Sequence, residues 1–589
     1  MPQYRDGATK RTRYDKLRAA LWTERQSGFD PHWQELADYY MPRRVRFHTS
    51  DRNRGDKRTY NIIDSTGRFA ARTCSSGLHS GLTSPARPWM KLTTPDPDLA
   101  NFAPVKEWLH IVTRRMLDLF ATSNVYNVLP LVYLDMAIFG TAAMGIIADA
   151  KDLFRCYSYP IGSFALALDS RGSVNTWARE YALTVRQIVE QFGVREDGRS
   201  IDWSRISPTV KSYWTTGDYE IPIDVCWMVQ PNEDARPNAL DAKYLPFSSC
   251  YFELGTGQSE RERQEPLNPN VFLRESGFRT FPIMAPRWDA TLEDTYGNDS
   301  PGMTALGDVK QLQVMQRRKA QLLTKAVDPP LKGPSSLRTQ KTSLASGDIT
   351  FVDVRDGMQG LAPIHEVRLE GFQHITADIN EVKFSVRRAF YEDLFLMLAT
   401  GDQFTGERPT AREVEERHEE KLLALGPMLE RTDDELLIPV VDRVYDFMEF
   451  NQFIPPIPRE LQGVKLKIEF TSILAQAQKL VGVVSQDRFL QTVAGIASVA
   501  GQDALDKLDT DQAIDNSADM LGVDPRIVVP TDQARETRRQ RRKQQQALME
   551  AEAAANVGKA VKDAGQAPLT GDTVLNRMVQ SQADAAAGG

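Results

Sequence analysis

The sequence predicts an α+β fold that is mostly helical. Apolar residues recur at helical spacing over long stretches in the N-terminal and the C-terminal parts of the chain. Between about residues 153 and 290 the pattern changes to short β-rich runs separated by Gly, Pro, Asn and Asp. A chain of 589 residues is too long for one hydrophobic core, so we expect roughly two to four folding units.

The N-terminal part is predicted to be helical. Residues 9 to 40 carry aromatic and leucine side chains at helical spacing, and a second helix begins there at Asp30-Pro31. Residues 104 to 120 open with a proline and carry a further apolar face. Basic residues between 43 and 72 are interleaved with aspartates and indicate a solvated loop.

Residues 128 to 147, VLPLVYLDMAIFGTAAMGII, are long enough to cross a bilayer. Asp135 lies near the middle, where a charged side chain costs roughly 2.5–3.5 kcal/mol on insertion scales, and Gly140 divides the run. We therefore expect a buried helix up to Phe139 and then a buried strand, rather than a membrane span. The N-terminus, MPQYRDGATKRTRYDKL, lacks the apolar run of a signal peptide.

The following region is predicted to be an α+β domain that continues the N-terminal helices. One helix, VRQIVEQFG, interrupts the strands and ends at Gly193. The runs that indicate strands are RCYSYP, FALALD, VNTWAREYALT, PIDVCWMVQP and SSCYFEL.

Two long helices are predicted around a small β-type insert, GDITFVDVRDGMQGLAPI, and together they indicate a stalk with a tip. The first helix has Ser300 as its N-cap and Pro301 at its first position, and it stops at residues 328–330, Asp-Pro-Pro. The second helix covers residues 372 to 398.

The second long helix is predicted to be amphipathic. One stripe is apolar, while Lys383, Arg387 and Arg388 lie on other faces. The stripe consists of Ile375, Ile379, Val382, Val386 and Phe390.

A polar loop, ATGDQFTGERPT, follows, and a further helix begins at Pro409. A helix over 433 to 450, the strand VKLKIEF and a helix-rich stretch over 474 to 522 complete the ordered part. After residue 530 the pattern indicates a basic helix that becomes rich in Ala, and the end, SQADAAAGG, should be disordered. The basic residues are either a nucleic-acid contact or the surface of a solvated helix; they are Arg538, Arg539, Arg541, Arg542 and Lys543.

Catalytic motifs do not fit the chain. The stretch SSGLHSGLTSPARPWMKL, residues 75 to 92, is out of register with the G-x-S-x-G nucleophile turn. No Gly-Lys-Ser/Thr of a P-loop occurs, and His418 lacks the second His that a zincin motif needs at residue 422. We therefore expect no catalytic residue, metal or cofactor, and we interpret residues 75 to 92 as a structural turn anchored in the core by Trp89 and Met90.

Charge and cysteine content narrow the class of protein. A net charge of −7 argues against a dedicated wrapper of nucleic acid. The four cysteines lie far apart and form no C-x-x-C pair, which favours a reducing, intracellular setting over a disulfide framework or a zinc knuckle.

The order of these elements resembles the portal, or head-to-tail connecting, proteins of short-tailed bacteriophages. The resemblance covers residues 10 to about 545. It rests on the combination of SGLTSPARPWMKL, YGNDSPGMTALGDVKQL, PTAREVEER, ILAQAQKL and LDKLDTDQAIDNSADMLGVDP.

The resemblance implies a portal-like architecture for each part of the chain. The implied parts are a wing over 1–300, a first stem helix over 301–330, a clip over 331–371, a second stem helix over 372–399, a tunnel loop over 400–410, wing and crown helices over 411–530, and a C-terminal helix with a disordered tail over 531–589.

The same resemblance implies a structural function. The chain would be one subunit of a ring of twelve at a single capsid vertex of the virion, assembled in the host cytoplasm and without a membrane contact. Double-stranded DNA would pass through the ring without sequence readout. A separate terminase-type packaging motor and later a tail adaptor would dock at the clip, and major capsid and scaffolding proteins would surround the ring.

The tunnel loop is the expected point of contact with DNA. Its residues would be Asp402, Gln403, Phe404, Thr405 and Arg408, and the stem would add Lys383, Arg387 and Arg388. An ordinary solvent-exposed connection between helices is the alternative interpretation of this loop. The alternative functions for the chain are a nucleic-acid binder that uses residues 535 to 543 and a hydrolytic phage enzyme without a recognisable motif.

Overall fold

The structure is a computed structural model. It describes residues 9–51, 55–195, 200–237, 239, 241–255, 271–327, 331–332, 362–363, 371–395, 425–471, 492–493, 510–514, 529 and 531–565. The chain folds as two compact units. The first unit contains residues 1–100 and 104–488, and the second contains residues 101–103 and 489–589.

Helices make up the N-terminal part of the first unit, as the sequence predicts. They are α1 Lys10–Gly28, α2 Asp30–Tyr39, α3 Thr66–Leu82, α4 Pro97–Asn101, α5 Ala103–Thr122 and α6 Val125–Phe139. The side chain of Thr9 caps α1 by accepting a hydrogen bond from the Thr12 amide, and Pro31 opens α2. Helix α3 begins inside the segment that was expected to be a solvated loop, because Ala70 and Ala71 are buried on its inner face.

A five-stranded antiparallel sheet forms the centre of the α+β region. Its order is β4-β5-β6-β7-β8, with β4 Phe164–Leu168, β5 Val174–Thr184, β6 Pro222–Pro231, β7 Phe247–Glu253 and β8 Arg274–Phe278. Between β5 and β6 lie α7 Val185–Ile188, a π-helical turn Val189–Gly193 and α8 Pro208–Thr216. The expected strands and the helix that ends at Gly193 are all confirmed.

Helix α1 is fastened to this sheet by three buried arginines at intervals of seven residues. The guanidinium of Arg11 donates to the backbone oxygen of Glu253 at 2.9 Å. Arg18 donates to the carboxylate of Glu180 at 2.5 Å, and Arg25 donates to the backbone oxygen of Phe164 at 2.7 Å. Because these acceptors lie on β7, β5 and β4, α1 crosses the sheet.

Three smaller antiparallel sheets complete the strands that the structure describes. The strands β3 Leu153–Ser158, β2 Met144–Asp149 and β9 Ile283–Met284 form one sheet in that order. The pair β1 Met90–Thr93 and β12 Lys467–Phe470 joins distant parts of the first unit. The pair β10 Leu331–Lys332 and β11 Ala362–Pro363 lies at the two ends of the segment between the long helices.

The apolar run at 128–147 forms a buried helix and strand, as expected. Helix α6 ends at Gly140, which has φ +74°. A Cβ at that position would lie 2.4 Å from the backbone oxygen of Gly297, so glycine is required there for both reasons. Asp135 is buried and forms an ion pair with Arg44. No helix in the described part of the chain is both long and apolar enough to span a membrane.

The prediction of a turn over residues 75 to 92 is wrong for the first half of that stretch. Residues 66–82 are the continuous helix α3. The glycines and serines that suggested a loop instead keep the helix narrow, and its buried positions include Gly67, Ser75 and Gly81. Trp89 and Met90 are buried, as predicted.

The described part of the central region contains one short helix, α9 Pro301–Thr304, and two long helices, α10 Leu306–Val327 and α11 Gly371–Ala389; the first predicted helix is therefore divided at Ala305. The Ser300 side chain accepts a hydrogen bond from the Met303 amide, which confirms the predicted N-cap. Further on in the first unit come the π-helical turn Asp433–Leu437 and α12 Ile438–Phe450, which matches the helix expected over 433 to 450. In the second unit, α13 Thr531–Gly565 confirms the expected basic helix. The expected disordered end, SQADAAAGG, lies outside the described residues.

Candidate functional site

Helices α10 and α11 pack against each other, and the contact of Lys319 with Thr376, together with the contacts of Gln316 and Lys383 with Asp64, shows that they run antiparallel. Lys319 of α10 donates a hydrogen bond to Thr376 Oγ1 of α11 at 3.4 Å. The Lys319 ammonium also lies 5.1 Å from the ring centroid of Phe372. These contacts fix the register of the pair, with residue 319 level with residue 376.

The helix pair is joined to the rest of the first unit at Asp64, just before α3. Gln316 of α10 donates to Asp64 Oδ2 at 2.9 Å, and the Lys383 ammonium of α11 lies 2.8 Å from the same oxygen. Burial opposes ionisation of Asp64, but hydrogen bonds from Lys383 and Thr66 outweigh it and lower the pKa of the carboxyl. One ionised carboxylate therefore ties both helices to the chain before α3.

Gln313 forms a second tie beside Asp64. Its side chain is buried, and Oε1 accepts hydrogen bonds from the amides of Ile63 and Asp64 at 2.7 and 2.8 Å. Its Nε2 donates to the backbone oxygen of Asp64 at 3.0 Å. An amide side chain with both ends bound fixes the position of the chain before α3. We call Ile63, Asp64, Gln313, Gln316 and Lys383 the root.

Helix α3 approaches the helix pair closely because small residues face it. A Cβ on Gly67 would lie 2.9 Å from Val309 Cγ2 of α10. A Cβ on Gly77 would lie 2.2 Å from the ring of Phe395, which follows α11. The ring of Phe390 packs against Tyr40 at a centroid distance of 5.7 Å. The helix pair is therefore set into the core of the first unit at one end.

The second long helix is shorter than expected. Helix α11 ends at Ala389, and Tyr391 has a positive φ of 55° before residues 392–395 resume a helical turn. Leu394 is buried where a straight helix would continue the stripe, but Phe395 would then face away from it, so the interruption accompanies the burial of Phe395. Within the stripe, Ile379, Val386 and Phe390 are buried as predicted, and Ile375 and Val382 are half-buried.

The predicted contact residues fall into two groups. Lys383 is half-buried in the root, while Arg387 and Arg388 are exposed. Arg387 lies 3.6 Å from the carboxylate of Glu392. The predicted tunnel-loop residues lie outside the described part of the chain; they are Asp402, Gln403, Phe404, Thr405 and Arg408.

The histidine and cysteine side chains that could take part in catalysis include His79, Cys74 and Cys156, and these three are held inside the fold. His79 Nδ1 lies 3.0 Å from Thr83 Oγ1, and burial lowers the pKa of His79. Burial raises the pKa of the Cys74 thiol to about 12 and that of Cys156 to about 12, so neither is ionised at neutral pH. Among the described residues, no three His, Cys, Asp or Glu side chains could hold a metal ion.

Sequence reasoning missed most of the root. It placed Lys383 on a polar face of its helix but gave Asp64, Gln313 and Gln316 no role. Gln313 lies one residue after Leu312 on the buried side of α10, and a long polar side chain at such a position must satisfy its hydrogen bonds inside the protein. That requirement is the signal that could have identified it.

Residues 11–528 match the protein family described as "Bacteriophage head to tail connecting protein". The chain belongs to this family. The portal protein of Salmonella phage epsilon15 is 44% identical over 541 residues, which cover 92% of this chain and 92% of that protein. The probable portal protein of Bordetella phage BPP-1 is 42% identical over 540 residues, which cover 91% of this chain and 92% of that protein.

A chain in a solved structure titled "Virion of native gene transfer agent (GTA) particle" is 11% identical to this head-to-tail connecting protein. It covers 78% of this chain and 89% of its own length with a TM-score of 0.29, which is too low to support an argument on fold. The family and the two portal proteins give the chain its function as a head-to-tail connecting component of the phage particle.

Proposed function

We propose that the chain is the subunit of a closed ring of twelve at one capsid vertex, and that double-stranded DNA passes through this ring during packaging and ejection. The observation that carries the proposal is the helix pair, which is joined to the first unit at the root, at α3 and, through Lys310 and Glu35, at α2. Such a pair is suited to stand beside its copies around a channel. The relationship to portal proteins over nine-tenths of the chain supports the same function.

The proposed ring divides the chain into functional parts. Residues 1–300 form the wing, residues 301–330 and 372–399 form the stem, and residues 331–371 form the clip. Residues 400–410 form the tunnel loop, and residues 411–530 form further wing and crown helices. The antiparallel pairing of Leu331–Lys332 with Ala362–Pro363 brings these two short strands together, which supports treating residues 331–371 as one part of the subunit. Residues 531–589 form a C-terminal helix and tail.

DNA of any sequence should slide through the channel. A sliding contact avoids base readout and holds few phosphates, because each phosphate that is neutralised adds salt-dependent affinity. The stem cations we assign to this weak contact are Arg387 and Arg388, which are exposed; Arg387 also lies 3.6 Å from Glu392, and Lys383 is half-buried against Asp64. Asp402, Gln403, Phe404, Thr405 and Arg408 would form the narrowest ring of contacts.

The other partners follow from this placement. A separate terminase-type motor supplies the energy for packaging and docks at the clip, where a tail adaptor replaces it later. Major capsid and scaffolding proteins contact the wing. The ring assembles in the host cytoplasm and remains in the virion, and the chain itself performs no hydrolysis.

Sedimentation velocity and hydrolysis assays on the purified chain test this function. We expect a large closed oligomer and no ATPase or nuclease activity above background. A stable monomer at micromolar concentration that cleaves ATP or DNA would contradict the proposal and favour a phage hydrolase. A monomer that binds one DNA sequence through residues 535–543 would favour a sequence-specific binder.

A further inference from the structure

The outward faces of the helix pair carry opposite charges. On α10, Arg317 and Arg318 are exposed, and on α11, Asp378 and Glu381 are exposed. At about 100° per residue, Arg317 lies almost opposite Lys319, which contacts α11, and Arg318 lies beside it on the exposed side; Asp378 and Glu381 lie well round α11 from Thr376, which contacts α10. None of the four forms an ion pair with another residue that the structure describes.

These charges also lie at the same height along the helix pair. The contact of Lys319 with Thr376 and the bridge from Gln316 through Asp64 to Lys383 fix the antiparallel register. In this register residues 317 and 318 are level with residues 377 to 382. The basic face of α10 and the acidic face of α11 therefore point away from each other at one level.

Two exposed apolar side chains lie beside the charges. Val314 of α10 is 49% exposed and Phe384 of α11 is 56% exposed. Val314 lies about one turn from Arg317 and Arg318, and Phe384 lies about one turn from Glu381. The register makes Val314 level with residues 381 to 385, a range that includes Phe384, so the basic and the acidic face each offer one apolar group at a similar height.

We propose that these two faces form the contact between neighbouring subunits, with a second copy of this chain as the partner. This inference rests on the proposed ring. Arg317 and Arg318 of one subunit meet Asp378 and Glu381 of the next, and Val314 of the first packs against Phe384 of the second.

The arrangement is compatible with a closed ring. Each subunit offers two different surfaces on opposite sides, so the interface is heterologous and every copy can hold two neighbours. Rotation about an axis along the helix pair keeps residues of equal height together, and this brings the complementary charges into contact. Like-charged faces repel, which prevents two α10 faces from pairing.

Charge reversal tests the interface in three variants of the full chain. Variant one carries Arg317→Glu and Arg318→Glu, and variant two carries Asp378→Lys and Glu381→Lys. Variant three carries all four changes. We expect variants one and two each to lose the ring peak in sedimentation velocity and variant three to regain it, because its reversed faces are complementary again.

Mixing provides a sharper readout. In an equimolar mixture, the acidic α10 face of variant one can meet the basic α11 face of variant two. The unchanged basic α10 face of variant two can likewise meet the unchanged acidic α11 face of variant one. We expect rings in which the two variants alternate, and native mass spectrometry should find equal numbers of each. Neither variant should form rings alone.

The control is Arg539→Glu with Arg541→Glu, the same change in charge on the exposed part of α13. Circular dichroism checks that all variants retain helix. Wild-type rings together with normal rings of variants one and two would overturn the interface. If variant one instead forms rings but retains less packaged DNA, Arg317 and Arg318 face the channel and the inference is wrong. A wild-type chain that forms no ring contradicts the proposed function itself.

Discussion

At the scale of single residues, the carboxylate of Asp64 joins the helix pair to the first unit. We predict that Asp64→Asn lowers the free energy of unfolding by about 1–3 kcal/mol, because Lys383 loses its counter-charge and Gln316 loses a charged acceptor. Urea unfolding followed by tryptophan fluorescence measures this. All nine tryptophans lie from Trp22 to Trp288, so the signal reports the first unit.

The control for Asp64 is Lys325→Met, which removes an exposed cation from α10 and should leave the unfolding midpoint unchanged. The pKa of Asp64 is below its ordinary value of 3.8. Its contribution to stability is therefore complete above pH 3.8 and is lost as the pH falls through the lower, folded-state pKa. A difference between wild type and variant that already shrinks between pH 8 and pH 5 would contradict this assignment.

Asp433 has the opposite pH dependence. Burial, together with Asp434 and Glu430, raises the pKa of Asp433 to about 7, and its Oδ1 is buried without a hydrogen-bond partner within the described residues. The folded state holds the proton more tightly, so stability is greatest below pH 4 and is lost as the pH rises through 7. We predict that Asp433→Asn stabilises the first unit at pH 8 by on the order of 2 kcal/mol, less than the full shift implies because the side chain is partly hydrated.

The gain in the free energy of unfolding from Asp433→Asn should vanish at pH 4, where the carboxyl of the folded wild-type protein is already neutral. Thermal unfolding at the two pH values measures it. Asp152→Asn, an exposed carboxylate in a hairpin turn, is the control and should have no effect at either pH. An equal gain at both pH values would show that the change acts through packing rather than through charge.

Prediction from the sequence was weakest for polar residues whose partners are distant in the chain. Lys383 could be placed on a polar face of its helix from periodicity alone. Its partner Asp64 could not be identified, because the two residues are far apart in the chain and only the packing of α3 against the helix pair brings them together.

At the scale of elements, the close packing of α3 requires glycine at position 77. We predict that Gly77→Ala destabilises the first unit by about 1–3 kcal/mol, because the added Cβ would lie 2.2 Å from the Phe395 ring and the buried ring has little room to move. Urea unfolding measures the change.

Gly307→Ala is the matched control, because a Cβ there meets no atom within 4 Å and the residue lies in α10. It should leave stability unchanged or raise it slightly. In a background of Phe395→Ala, the cost of Gly77→Ala should fall to near that of the control. Equal costs with and without the Phe395 ring would show that another contact is responsible.

The elements differ in how well the sequence predicted them. Helix α6, its stop at Gly140 and strand β2 were predicted because a long apolar run was followed by a glycine that permits a left-handed backbone. Helix α3 was missed because its Gly and Ser content is typical of turns, and tertiary packing overrides that propensity. The interruption after Phe390 has no Gly or Pro to signal it, and it accompanies the burial of Phe395, which lies off the apolar stripe.

At the scale of the whole molecule, the proposed function is a ring around a channel for DNA. We predict that replacing residues 402–405 with Gly and Ser leaves ring assembly intact but impairs the retention or passage of packaged DNA, because Phe404 can no longer narrow the channel. Arg408→Ala should have a milder defect, since it removes only a transient phosphate contact. Packaging and DNA-retention assays on assembled particles measure both.

The control for the loop is the same replacement at residues 150–152, an exposed turn between β2 and β3. Particles with this change should package and retain DNA normally. Full activity of the 402–405 replacement would show that the loop does not contact the genome.

The central claim is that copies of this chain close into a ring around a channel for DNA. Electron microscopy of the purified chain, with class averages viewed along the particle axis, tests it most directly. We expect ring-shaped particles with twelve repeats and a central hole wide enough for a DNA duplex. Solid particles without a hole, open filaments or dispersed monomers would contradict the claim.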